Sequence, residues 1–321
     1  MVDMLIIGAG PAGLYAAYYA GFRGFSVAVM DSLPELGGQV SALYPEKLIY
    51  DVAGFPAVKG QDLVDALAEQ AASADPKYLL GYCADELVAV DDHVRITTDD
   101  GLVVAAKTVL ITSGIGSFTP RPLPGADGWE NRGLMYFVPR LDDLAGLEVL
   151  IVGGGDSAFD WARSLEPIAK TVTLVHRRNL FRAHKSTVET VRASSVQVLT
   201  PYEVAAIHGT DRIEAVDVSD NSTDRILKRL PVQAVIAALG FHADLGPIAN
   251  WGLEQRKRHI RVDAAMRTNL PRVFAAGDIV DYDGKVKLIS VGFGEAATAI
   301  NNAAVVINPA LHVFPGHSTD P

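Results

Sequence analysis

The sequence predicts an α/β protein made of two Rossmann-like, three-layer units. Three observations carry this. The apolar run DMLII leads straight into GAGPAG and then into a helix-forming stretch. The same strand–glycine–helix order returns where LEVLIV meets GGGDSA. Between them, residues 113–125 are rich in Gly, Ser and Pro and read as a linker. A chain of 321 residues has room for two domains.

Residues 3–8 read as a short buried strand, followed by a helix from Pro11 to about Gly21 and a second strand, SVAVMD, ending at Asp31. An apolar but irregular stretch runs to Pro56, and loops of that length in compact domains are usually functional. A helix at 60–73 and a strand near 78–84 follow. Strands at 86–91, 93–98 and 102–105 suggest an antiparallel meander, with a separate strand at 107–112. In the second unit, strand 147–152 precedes a helix to about Leu165 and a strand at 171–176. Further strands extend to the apolar run at 232–240. A last strand lies in RVFAAGDI at 272–279, and an apolar helix from about Glu295 to Ile307. The expected organisation is a first domain formed by residues 1–114 and 241–321, interrupted by a second at 115–240.

Gly8, Gly10 and Gly13 have the spacing of a dinucleotide fingerprint: the first makes the turn, the second admits a pyrophosphate, and the third lets helix and strand pack closely. The pyrophosphate would rest on the helix N-terminus, beside Ala12. Asp31 closes the second strand, where a carboxylate accepts both ribose hydroxyls. Gly153, Gly155 and Ala158 repeat the pattern, with Asp156 and Ser157 opening the helix. As far from Gly153 as Asp31 stands from Gly8, this unit carries His176, Arg177 and Arg178, with Arg182 close behind. A carboxylate would repel a 2′-phosphate, whereas Arg pairs with it in a bidentate fork. The first unit therefore suits a dinucleotide with a free 2′-hydroxyl, and the second suits NADP(H).

Composition limits the remaining choices. The net charge of −10 argues against nucleic acid as the main partner. The single cysteine, Cys83, excludes an intrachain disulfide, a CxxC redox pair and a cysteine zinc cluster, and reads as a small core residue. No apolar run has the length of a membrane span, and the N-terminus does not have the form of a signal peptide, so the expected location is the cytoplasm.

Two dinucleotide units in one chain suggest a flavoprotein that takes hydride from a nicotinamide. AAGD places Gly277 and Asp278 at a strand end, where the carboxylate can meet a ribityl chain. TSGIG at 112–116 is a tight turn out of the first domain, and a helix beginning near Gly294 would favour negative charge on a reduced ring.

Over essentially its whole length the chain resembles the thioredoxin-reductase-like ferredoxin–NADP reductases, homodimeric bacterial flavoenzymes. The stretches that carry the resemblance are GAGPAG, ELGGQVSALYPEKLIYDVAGFP, GGGDSAFDWA, HRRNLFRAHKS, LGPIANWGL, FAAGDI, GFGEAATAINNA and the terminal HST. The resemblance implies a glutathione-reductase-like, thioredoxin-reductase-like fold with FAD in the first domain and NADPH in the second. It implies hydride transfer from NADPH to flavin N5 and then single electrons to ferredoxin or flavodoxin. It implies FAD contacts from Asp31, Gly38, Gln39, Tyr44, Ala84, Phe118, Asp278 and Thr319, with Tyr44 stacked on the isoalloxazine and His317 covering the flavin of a partner subunit. The chain departs from many relatives in carrying Asp31 where Glu is common, and in ending two residues after Thr319. Thioredoxin reductases need a CxxC where this chain reads GLMYFVPRL. The basic stretches 225–229 and 256–261 are candidate docking patches, each of which taken singly reads as a solvated face. Two other activities suit the same scaffold: an NADPH oxidase or quinone reductase, and a non-enzymatic redox sensor.

Overall fold

The computed structural model describes residues 1–220 and 226–316. The chain divides into two compact units, one formed by Met1–Phe118 with the chain from Ala243 on, the other by Thr119–His242.

In the first unit, β1 (Val2–Ile7) lies between β2 (Val27–Asp31) and the strand Val103–Ile111, parallel to both. Met4, Leu5 and Ile6 are fully buried, as expected of a parallel strand covered on both faces. α1 (Pro11–Phe22) starts with Pro at its first turn, where no N–H partner is needed. α2 (Gln39–Leu43) falls inside the stretch that looked irregular, and α3 (Gly60–Ala72) follows. The expected strands at 102–105 and 107–112 are one continuous strand. Its first residues pair antiparallel with Val94–Thr98, and its later ones pair parallel with β1 and with Val273–Ala275. Lys107 lies in the middle of this strand. It is accommodated because its ammonium reaches the Asp3 carboxylate at 2.8 Å, half exposed at the sheet margin.

The second unit holds a parallel sheet of five strands. Their order is Leu134–Met135, Ala234–Ala237, Glu148–Val152, Thr171–Val175 and Gln197–Leu199. α4 (Asp156–Leu165) buries Phe159 and Trp161 against it, and α5 (Lys185–Arg192) adds Val191. An antiparallel sheet, Tyr202–His208 with Ala215–Asp220 and Ile226–Pro231, completes the unit.

After the chain returns to the first unit, α6 (Ile289–Ile307) begins well before the expected Glu295. A Cβ at Gly292 would stand 3.5 Å from Gly277 Cα and 3.6 Å from Ala12 Cβ, ordinary van der Waals contact, so this turn packs against both. The small, fully buried faces of α1 (Ala16, Ala17, Ala20) and α6 (Ala296, Ala299, Ala303) share one core cluster. Alanines on both faces let the two helices pack closely and fix where their N-terminal turns end.

Candidate functional site

A cleft of about 310 Å³ opens in the first unit where β1, β2 and the strand 103–111 end. The carboxyl edge of a parallel sheet is the usual place for a ligand in this architecture. Gly8, Gly10, Ala12, Asp31, Gly38, Gln39, Tyr44, Ala84, Phe118, Gly277 and Asp278 all line it. Gly13 lies behind the lining, and His317 and Thr319 lie outside the described residues.

The three glycines of the first fingerprint are required for different reasons. Gly8 has φ +112°, and a Cβ there would lie 2.6 Å from the Thr112 carbonyl carbon. A Cβ on Gly13 would lie 1.8 Å from Gly8 O, so only glycine lets α1 sit this close to β1. Gly10 is different: a Cβ there meets nothing nearer than Gly37 O at 3.9 Å. It caps α1 with its open side toward the cleft, which is the shape that lets a pyrophosphate approach the helix N-terminus. Thr112, unnoticed in the sequence, secures the turn by donating from Oγ1 to Gly8 O at 2.8 Å.

The Asp31 carboxylate accepts the Ala9 N–H at 2.6 Å and the Leu33 N–H at 2.8 Å, one on each oxygen. Each oxygen keeps a lone pair for a ribose hydroxyl. Burial raises its pKa above the ordinary carboxylate value, against the two backbone hydrogen bonds, which lower it. Burial, and then the charges of Asp278 and Asp51, push the Tyr44 phenol up to about 12, so it remains a neutral hydroxyl. The buried Ser113 Oγ, on the cleft wall, has no hydrogen-bond partner among the described residues. An open glycine cap, a carboxylate with spare lone pairs and an unpaired wall hydroxyl together fit FAD.

In the second unit, Gly155 caps α4 and a Cβ there would meet nothing within 4 Å, an opening like that at Gly10. A Cβ on Gly153 would lie 2.5 Å from Ala238 O, the counterpart of the Gly8 contact. Ala158 is buried at the third position, and Ser157 is exposed at the helix start. One Asp156 oxygen is taken by the His184 N–H at 2.9 Å, which ties the 176–184 loop to α4. The His176 ring is packed rather than presented. It covers Gly154, where a Cβ would fall 2.4 Å from the ring, and it lies 5.4 Å from the Phe181 ring. Its Nε2–H donates to Leu180 O at 3.2 Å, and burial foremost lowers its pKa, so it is a neutral spacer. The exposed Arg177, Arg178 and Arg182 are left as the cationic groups of this loop.

Several cleft residues escaped the sequence reading. Leu245, Gly246, Pro247 and Ile248 line the cleft from just after the chain's return. Their only signal was the stretch LGPIANWGL. Cys83, expected in the core, is partly exposed on the cleft wall, and burial raises its thiol pKa. Glu295, placed by the sequence only at the start of an apolar helix, forms a buried pair with Lys285 behind the Gly277 turn. Of the basic stretches, Arg229 is held by Asp217 at 2.7 Å, Arg256 pairs with Asp281, and Arg225 lies outside the described residues.

Residues 2–303 match the family model for pyridine nucleotide-disulphide oxidoreductases. The relatives include a ferredoxin–NADP reductase of Nocardioides sp., 63% identical, covering 99% of this chain and 97% of the relative. The ferredoxin–NADP reductase of Frankia alni is also 63% identical, with 98% of each chain covered. Among solved structures, the thioredoxin reductase of T. acidophilum superposes with a TM-score of 0.76 at 26% identity, covering 94% of this chain and 97% of that one. That of Lactococcus lactis gives 0.77 at 24% identity, covering 96% and 99%. The chain belongs to the pyridine nucleotide-disulphide oxidoreductase family and, within it, to the group of these ferredoxin–NADP reductases. It shares the thioredoxin-reductase fold but not the dithiol, since Cys83 is its one cysteine. Among the described residues, no helix is long and apolar enough to cross a membrane.

Proposed function

We propose that this chain moves electrons between NADPH and ferredoxin, with FAD in the cleft of the first unit and NADPH on the glycine loop of the second. The observation that carries this is the contrast at the two strand ends. Asp31 offers a carboxylate with free lone pairs, and the 177–182 loop offers exposed arginines. Bound in the cleft, FAD supplies the ability to take two electrons from a nicotinamide and release them singly.

The residues of the chain bind, orient and exclude water. Gly10 and the α1 N-terminus hold the pyrophosphate, and Asp31 holds the adenosine ribose. Asp278 and the neutral Tyr44 hydroxyl lie at the far wall with Gln39. Arg177 and Arg178 pair with the 2′-phosphate of NADPH, and Arg182 adds charge. With a single cysteine on the cleft wall, the chain has no dithiol to receive electrons, which favours an external carrier. Flavodoxin is a second acceptor of the same chemistry. The working form is a homodimer in the cytoplasm.

The test is NADPH-driven reduction of ferredoxin, coupled to a cytochrome and compared with NADH, oxygen and quinone. A ferredoxin rate well above the oxygen and quinone rates is expected, with NADPH preferred. Changing Arg177 and Arg178 to Ala removes charge-assisted hydrogen bonds of about 1.5–3 kcal/mol each. It should raise the KM for NADPH at least tenfold and leave that for NADH within about twofold. Equal rates with NADH in the unaltered protein would overturn the 2′-phosphate assignment. Absence of any ferredoxin-dependent rate would overturn the function.

A further inference from the structure

Charged side chains are rarely buried, and burying a pair is costly in desolvation. Among the described residues, one ion pair has both side chains buried: Lys285, 5% exposed, and Glu295, 4% exposed. The Lys285 Nζ lies 2.5 and 2.7 Å from the two Glu295 oxygens. Glu295 accepts two further hydrogen bonds, from the Tyr282 hydroxyl to Oε1 at 2.6 Å and from the Gly277 N–H to Oε2 at 2.8 Å.

Neither Glu295 nor Lys285 lines the cleft, but both of the elements that Glu295 joins do. Gly277 and Asp278 form one part of the wall. Gly277 is held at φ +84°, a conformation open to glycine, and among the described residues its N–H has no other acceptor than Glu295. α6, which carries Glu295, places Ile289 and Gly292 on the wall beside them. An apolar residue at 295 would fill the same space with less desolvation, so the carboxylate serves something other than core stability.

We propose that Glu295 is a positioning residue: it holds the Gly277–Asp278 turn against α6, fixing that wall of the cleft for the cofactor, with Lys285 compensating its charge. This rests on the reading that the cleft holds FAD.

Two double variants separate the hydrogen bond from the charge pair. Glu295→Gln with Lys285→Met removes both charges but keeps an acceptor for the Gly277 N–H. Glu295→Met with Lys285→Met removes both charges and the acceptor at nearly the same volume. FAD affinity is measured by fluorescence titration of each apoprotein, with visible circular dichroism of the bound flavin. The Gln form should bind FAD within about threefold of the parent, and the Met form about tenfold or more weakly, with an altered dichroism, because a buried N–H has lost its partner. Of the two apoproteins the Met form should unfold at the lower temperature, since the charge change is the same but its Gly277 N–H is left without an acceptor. Equal FAD affinities in the two forms would overturn the proposal. If the Met form does not fold, amide exchange of Gly277 in the unaltered apoprotein decides: strong protection is expected, and exchange as fast as in an exposed loop would overturn it. An unaltered chain that takes up no FAD fails the cofactor reading instead, and is seen before either variant is made.

Discussion

Replacing Asp31 by Asn tests the adenosine end of the cleft. Both carboxylate oxygens already accept a backbone N–H, from Ala9 at 2.6 Å and Leu33 at 2.8 Å. An amide has one oxygen, so its NH₂ group must face one of these donors. The substitution removes at least one charge-assisted hydrogen bond to a ribose hydroxyl, about 1.5–3 kcal/mol, and leaves a backbone donor unpaired at about 1–3 kcal/mol. Only the first term acts wholly on binding, while the second is shared with the apoprotein. FAD affinity should fall about 10- to 150-fold, read by titrating apoprotein with FAD and following the quenching of flavin fluorescence. Asp31→Glu keeps the carboxylate and should stay within about tenfold. The pH dependence has a definite sign. The pKa of Asp31 is raised by burial in the free protein, so its contribution to apoprotein stability is present below the unfolded value and is lost as pH rises through the folded one. At neutral pH the ionised group is a cost that bound ribose offsets. On acidification FAD should loosen at a higher pH than an ordinary carboxylate would dictate, and Asp31→Asn should abolish that limb. An Asn variant that binds FAD within threefold of the parent would refute the assignment of this carboxylate to the ribose.

The two inner glycines should separate stability from binding. Gly13→Ala places a Cβ 1.8 Å from Gly8 O and should lower thermal stability of the apoprotein by an overpacking cost at the upper end of about 1–3 kcal/mol. Gly10→Ala, with nothing within 3.9 Å, should leave the apoprotein's melting temperature unchanged while weakening FAD at least tenfold. In the second unit, Arg229 first and His208 next hold the Asp217 carboxyl well below the usual carboxylate range. Its contribution is therefore present above the unfolded value of 3.8 and lost as pH falls below it. Asp217→Asn should lower the melting temperature at pH 7 and flatten its acid dependence, without changing FAD affinity. Because Cys83 lines the cleft, alkylation by a neutral maleimide should be at least tenfold slower in the FAD-bound protein than in the apoprotein. Equal rates would place the thiol away from the bound cofactor.

What was legible in the sequence was local. Gly8, Gly10 and Gly13 sit within one strand–turn–helix, and Asp31 ends the next strand, so spacing alone brought them together. That 102–105 and 107–112 are one strand was not legible, because the β1 pairing that carries it through Lys107, and the Asp3 partner of that ammonium, are far away in sequence. The start of α6, expected near Gly294, lies at Ile289, because the packing of its first turn against Gly277 and Ala12 is tertiary. Glu295 and Lys285 were invisible for a related reason: burial is a tertiary property, and a Glu in an alanine-rich helix resembles a solvated one. His176 was expected with the phosphate-binding arginines, but the Leu180–Phe181 loop folds back over it.

The interrupted layout of the first unit also bears on how the molecule is made. Residues 119–242 are contiguous, so the second unit can fold as soon as it clears the ribosome. The first unit cannot. The strand 103–111 waits for Val273–Ala275, and α1 waits for the alanine face of α6. Gly277, Asp278, Ile289 and Gly292 arrive last of all the cleft residues. Cofactor loading is therefore a late event in biosynthesis, and a nascent chain stalled just after residue 242 has emerged should carry a folded nucleotide unit and no flavin.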